Sequence, residues 1–163
     1  MFKVLFMCTA NICRSPLAQV ILEQKVKDQD IEYMIDSDSS GTWATEGQRA
    51  GRLSQMVATE NYLDLSKHRS KPITLGLIKE SDLILCMTPN HKSDLLQIFP
   101  HYDDRIFTLK EYGHNSPPPK ISVDDPIGMN LNFYRRIFRE IEDEITRIWP
   151  VILEKSNAKA TIG

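Results

Sequence analysis

Cysteine is scarce in this chain: 163 residues contain three, Cys8, Cys13 and Cys86. An odd, low count does not build a disulfide framework, and reduced thiols are expected. No metal site is expected either. Cys8 and Cys13 lack a second ligand pair at suitable spacing, and the histidines (His68, His91, His101, His114) are scattered. No apolar run is long enough to span a bilayer. The first residues, Met1 to Met7, are apolar but short, without a charged leader or a small-residue cleavage site. Charge of one sign is also missing. A formal net charge of −2 supplies no broad basic field, so neither nucleic acid nor membrane is an expected partner. The cytoplasm is the expected compartment.

What is present suits one ordinary globular domain, with 41% hydrophobic and 26% charged residues. We expect the domain to span 1–154, with 155–163 as a frayed tail. Phe2 to Met7 reads as a buried strand. Residues 8–14 read as a turn, and Ser15-Pro16 as a helix start, with Ser as N-cap and Pro at the first helical position. Ile31 to Ile35 is a second strand candidate, and Ser37 to Gly47 reads as a polar surface loop. Residues 48–62 look helical, Asp82 to Met87 is a third strand, a helix lies around 90–98, and Arg105 to Leu109 is a fourth strand. Pro117-Pro118-Pro119 places 112–127 in a loop. The apolar series Tyr134, Ile137, Phe138, Ile141, Ile145, Ile148, Trp149 and Ile152 predicts a last helix, which Pro150 should kink or end. Alternating strands and helices imply an α/β doubly wound fold of three layers, a four-stranded parallel sheet with helices on both faces. Working sites in such sheets lie at the carboxyl ends of strands, here beside Cys8.

The segment Cys8-Thr9-Ala10-Asn11-Ile12-Cys13-Arg14-Ser15-Pro16 follows a strand and precedes a helix. A short loop at a helix N-terminus can aim several backbone N–H groups at one anion. Arg14 adds a planar fork matched to two phosphate oxygens. The same positive surroundings favour the Cys8 thiolate, an activated nucleophile. The plainer reading makes Cys8 a small core residue and Arg14 a surface charge. The flanking strand and helix start favour the chemical one.

The nonapeptide resembles the C-x-G-N-x-C-R-S-P signature of the low-molecular-weight protein-tyrosine phosphatases. It departs at Ala10, where glycine is usual; if that position needs positive φ, alanine is strained. Ser39-Ser40-Gly41-Thr42 is similar to the family's S-A-G-T loop. Asp64-Leu65-Ser66 with His68-Arg69-Ser70 is similar to its D-L-S-x-H-R segment, Asp82 to Leu85 to its third strand, and Asp125-Pro126 to its acid loop. The resemblance covers roughly residues 2–150 in order. It implies a phosphate loop of Thr9, Ala10, Asn11, Ile12, Cys13, Arg14 and Ser15, with Asn11, Ser15 and Ser39 supporting loop and thiolate by hydrogen bonds. It implies catalysis by Cys8, Arg14 and Asp125 without cofactor or metal. From the residues alone Asp124 and Asp125 read as turn and capping residues; the resemblance selects Asp125 as the general acid. The implied partner is a phosphorylated protein, with phosphate or another oxyanion in the site, and the chain is expected to be a monomer or weak dimer.

Three positions bear on the substrate. Ile12 favours phosphotyrosine, because the related protein-arginine phosphatases carry threonine there. Ile127 replaces the aromatic that normally follows Asp-Pro. Trp43 either supplies the missing aromatic wall or anchors its loop. The segment Met87-Thr88-Pro89-Asn90-His91-Lys92 resembles the arginine-phosphatase branch, so that activity stays as the alternative to phosphotyrosine hydrolysis. A thiol-dependent arsenate reductase shares the loop but needs two further relay thiols, and only Cys86 follows, inside an apolar strand. A non-catalytic phosphoprotein-binding module is permitted by Ala10 and Ile127 and opposed by Cys8, Arg14 and Asp125 together. The resemblance also implies that Cys13 can close a reversible disulfide with Cys8 under oxidation.

Overall fold

A computed structural model describes residues 1–163. Its centre is a parallel sheet of β1 (Phe2–Cys8), β2 (Ile35–Gly41), β3 (Leu83–Cys86) and β4 (Ile106–Thr108), in the order β2-β1-β3-β4. The pleat of β1 sorts its side chains between two cores. Val4, Phe6 and Cys8 enter one; Leu5 and Met7 enter the other. β3 repeats this, with Leu83 and Leu85 on the first face and Ile84 and Cys86 on the second. Both faces of the central strands are covered, which is why they read as continuous apolar runs.

The larger core lies under α1 (Arg14–Asp28), α2 (Arg52–Glu60) and α5 (Leu131–Ile162). The smaller lies under α3 (Leu75–Glu80) and α4 (Pro89–Ile98). A 3-10 turn, Pro100–Arg105, leads into β4. The fold is therefore the expected doubly wound α/β type. β1 is its switch point: the chain leaves β1 toward β2 on one side and returns to β3 on the other. The crevice opened there lies at the carboxyl end of β1, where Cys8 ends the strand.

Several boundaries differ from the sequence reading. The second strand is Ile35–Gly41, not 31–35, so most of the expected polar loop is sheet. Its serines are buried because their hydroxyls are bonded: Ser37 to Gln19 O, Ser39 to Gln19 Oε1 and Ser40 to Lys71 O. The first helix starts at Arg14 with Cys13 as its cap residue, so Ser15 is helical and its hydroxyl is free for other work. The helix expected over 48–62 is shorter, and the single turn and a half of α3 had no periodic signal.

Pro150 does not end α5. It removes one ladder bond, yet the apolar stripe continues through Ile148 and Ile152 to Ser156, all buried. Lys159 then holds Asp82 through both carboxylate oxygens, at 2.9 and 2.7 Å. Residues 155–163, expected to be frayed, are helical as far as Ile162 and exposed from Asn157 onward.

Ile141 is fully buried at the middle of α5. Ile141→Ala should lower the unfolding free energy by about 2–5 kcal/mol, read as a shifted denaturant midpoint at unchanged slope.

Candidate active site

The loop from Cys8 to Arg14 turns back on itself at one residue. Asn11 has φ of 58°, the left-handed region, while Ala10 has no positive φ. The strain anticipated for alanine at position 10 is therefore not there; the unusual backbone belongs to Asn11, a residue type that tolerates it. Four hydrogen bonds hold Asn11. Its Nδ2 donates to Ser15 Oγ at 2.8 Å and to Ser39 Oγ at 2.9 Å. Its Oδ1 accepts from the Lys71 amide at 3.0 Å, and its carbonyl oxygen lies 2.7 Å from His68 Nε2. Gly41 completes the fit: a Cβ there would collide with the Thr9 carbonyl oxygen and stand 3.0 Å from the Asn11 amide nitrogen.

These bonds set the surroundings of Cys8. Ser15 Oγ accepts from Asn11 and lies 2.9 Å from Cys8 Sγ. With Asn11 donating to its oxygen, the Ser15 hydroxyl has its proton to give, to the Ser40 carbonyl oxygen at 3.4 Å or over the shorter contact to sulfur, so a thiolate at Cys8 has a donor within reach. The first turn of α1 carries no acidic residue and no side-chain cap. Its amide ends therefore face the loop as an anion-receiving pole.

Arg14 is 4% exposed. Its Nη1 donates to Val123 O at 2.9 Å, which fixes the guanidinium, and its Nη2 lies 3.6 Å from Asp125 Oδ2. Asp125 is half-exposed, and its Oδ1 accepts from the Ile127 amide at 3.1 Å. The neighbouring Asp124 turns away to Lys120, at 2.9 Å, and toward Arg136, and Lys120 holds its carboxyl below the ordinary range.

Cys8, Thr9, Ala10, Ile12, Cys13, Arg14, Asp125 and Ile127 enclose a cavity of about 60 Å³. It opens beside a wider one of about 530 Å³, bounded by Trp43, Asn90, His91 and Asp94, and sharing Thr9, Arg14 and Asp125. Trp43 is 82% exposed, so it is a wall of the opening and not an anchor packed on the domain. Cys13 is buried with its sulfur 3.6 Å from Tyr134 Oη. Burial pushes its thiol up, as it does that of Cys86, deep in the second core. All three cysteines are free.

Two histidines that the sequence reading left without roles belong here. His68 braces the Asn11 carbonyl. His91 joins Thr9 Oγ1, 2.8 Å from its Nε2, to Thr88 Oγ1, 3.1 Å from its Nδ1. The signal lay in the Asp64–Ser70 and Met87–Lys92 segments, which carry these residues, but no spacing rule places them against the loop. Lys71, whose amide ties the loop to the 70–73 segment, and Gln19, which holds the Ser39 hydroxyl behind Asn11, gave no signal.

A thiol, a buried guanidinium, a helix N-terminus and a carboxyl meet at one small cavity at the carboxyl end of the sheet of a doubly wound α/β protein. The family model described as low molecular weight phosphotyrosine protein phosphatase matches residues 3–159, and the chain belongs to that family of hydrolases. A protein-arginine-phosphatase from Geobacillus stearothermophilus is 32% identical over 147 residues, covering 90% of this chain and 93% of that protein. A low molecular weight protein-tyrosine-phosphatase from Streptomyces coelicolor is 24% identical, covering 98% of each chain. The solved structure of a low molecular weight protein tyrosine phosphatase from T. tengcongensis superposes with a TM-score of 0.84 at 34% identity, covering 92% of this chain and 99% of that one. No helix is long and apolar enough to cross a membrane.

Burial, with Arg14 nearby, lowers His91 to about 4 from an ordinary 6.5, and burial also lowers His68. In the window from about 6.5 down to about 4, the unfolded chain binds a proton at position 91 that the native state refuses. The His91 contribution to stability is therefore present above that window and lost as pH falls through it. Thermal midpoints between pH 7 and 4 should fall less steeply for His91→Gln than for the parent protein; equal slopes would remove His91 from the acid sensitivity.

Proposed function

We propose that the protein hydrolyses phosphotyrosine in protein substrates through a phosphocysteine intermediate. The observation that carries this is the convergence of Cys8, Arg14 and Asp125 on one cavity over the loop. In the first step Cys8 Sγ attacks phosphorus while the ester P–O bond breaks. Asp125 gives its proton to the leaving phenolic oxygen, and Arg14 with the loop amides balances charge on the equatorial oxygens. In the second step water attacks the phosphocysteine, Asp125 accepts a proton from it, the S–P bond breaks, and the Cys8 thiolate and phosphate are released.

The cavity walls favour an aryl leaving group. Ile12 and Ile127 face it with hydrocarbon, which suits a phenyl ring and offers no acceptor to a guanidinium. Phosphoarginine hydrolysis is the second reading, favoured by the Met87–Lys92 segment and by the activity named for the Geobacillus relative. Three free, buried thiols agree with a reducing compartment, and we assign the protein to the cytoplasm.

Reduced protein should release phosphate from para-nitrophenyl phosphate and from a phosphotyrosine peptide faster than from a phosphoarginine peptide. Cys8→Ser should abolish turnover, and Asp125→Ala should lower kcat by roughly 10²–10⁴. A preference for phosphoarginine would keep the chemistry and overturn the substrate assignment. No turnover of any of the three would overturn the enzyme reading.

A further inference from the structure

The thiol, the arginine and the acid do not account for one buried polar chain that reaches the loop from α4. His91 is 5% exposed and lies in the first turn of that helix. Its ring spans two hydroxyls, Thr9 Oγ1 at Nε2 and Thr88 Oγ1 at Nδ1. The charged groups facing it are Arg14, Asp94 and Asp125. Burial beside Arg14 keeps the ring neutral, so one nitrogen donates and the other accepts.

Thr88 supports one direction for the chain. As the cap of α4, its Oγ1 already accepts the His91 amide N–H at 3.3 Å. The remaining hydroxyl proton of Thr88 then goes to Nδ1, and the ring proton sits on Nε2. Nε2–H donates to Thr9 Oγ1, and the Thr9 hydroxyl, its oxygen engaged, keeps its own proton to give. Thr9 follows the nucleophile directly and lines both the small cavity over Cys8 and the wider opening. The opposite tautomer would draw the Thr9 proton back to His91 and leave the loop without that donor.

We propose that His91 is a positioning residue that turns the Thr9 hydroxyl proton toward the oxyanion in the loop, making Thr9 a side-chain donor to the phosphoryl group beside Arg14 and the backbone amides. This rests on the reading of the loop as a phosphate site. It goes beyond that reading by assigning work to a residue pair outside the nucleophile, the arginine and the acid.

The probe is inorganic phosphate, titrated calorimetrically into the reduced full-length protein. Thr9→Val should weaken phosphate binding about tenfold, the size expected for one lost hydrogen bond to a charged group. Thr9→Ser, which keeps the hydroxyl, should restore it. His91→Ala should weaken binding similarly, and His91→Gln, whose amide can still donate to Thr9, should recover most of the loss. In the Thr9→Val background His91→Ala should cost nothing further, because His91 acts only through that hydroxyl. On para-nitrophenyl phosphate the same variants should lower kcat more than they raise KM.

Wild-type phosphate affinity in Thr9→Val, or additive losses in the double variant, would overturn the proposal. Phosphate binding that follows the predicted cycle in a protein with no turnover would overturn the phosphatase reading and leave this inference standing. A wild-type protein that binds no phosphate would overturn both.

Discussion

The site depends on the fixing of Asn11 in a left-handed backbone conformation. That single reversal bends the chain after β1 so that its N–H groups can turn inward while the next residues enter α1. The conformation carries a cost that asparagine tolerates better than most non-glycine residues, and four hydrogen bonds from three separate segments offset it. Ser39 comes from β2, His68 and Lys71 from the segment after α2, and Ser15 from α1. The loop is thereby over-determined, and its shape does not wait for a substrate. Pre-set donors of this kind favour the transition state, because they need no reorganisation when charge develops.

The same network explains why β2 looks so little like a strand. Its residues run Ile35-Asp36-Ser37-Asp38-Ser39-Ser40-Gly41. A purely apolar strand there would pair with β1 equally well but would remove the Ser39 hydroxyl that Asn11 and Gln19 share. The serine hydroxyls give the sheet edge the polar contacts that brace the Cys8–Arg14 loop, and Gly41 leaves room for the loop to lie against it. Lys71 adds a second tie, through its backbone to Asn11 and Ser40, and through its ammonium to Asp38 at 2.6 Å. Function thus enters the fold as local departures from strand composition, each matched by a named hydrogen bond.

Much of this was legible in the sequence. The apolar runs of β1 and β3 gave the sheet, the stripe along α5 gave the longest helix, and the spacing of Cys8 and Arg14 gave the loop. β2 was illegible because its burial is polar: period and hydropathy both describe a surface loop, and only tertiary hydrogen bonds make it a strand. Pro150 misled because the usual penalty assumes that nothing beyond it is worth reaching, whereas Ile152, Ser156 and the Lys159–Asp82 pair carry the helix onward. Ser15 misled in the opposite way, since a residue type that commonly caps a helix is used here inside the first turn, facing sulfur. His68 and His91 were visible as residues but not as neighbours of the loop, because their contacts cross 57 and 82 positions of sequence.

The central claim is that a loop held by Asn11 presents Cys8 as the nucleophile. The most direct measurement is rapid quench of the reduced protein with para-nitrophenyl phosphate, followed by mass spectrometry of its peptides, for the parent protein and for Asn11→Gly. Glycine keeps the backbone conformation accessible and removes the side-chain bonds. One phosphoryl group on Cys8 within the first turnover, formed at least about tenfold more slowly in a folded Asn11→Gly protein, is the predicted result. Phosphate on another residue, or an unchanged rate in Asn11→Gly, would contradict it.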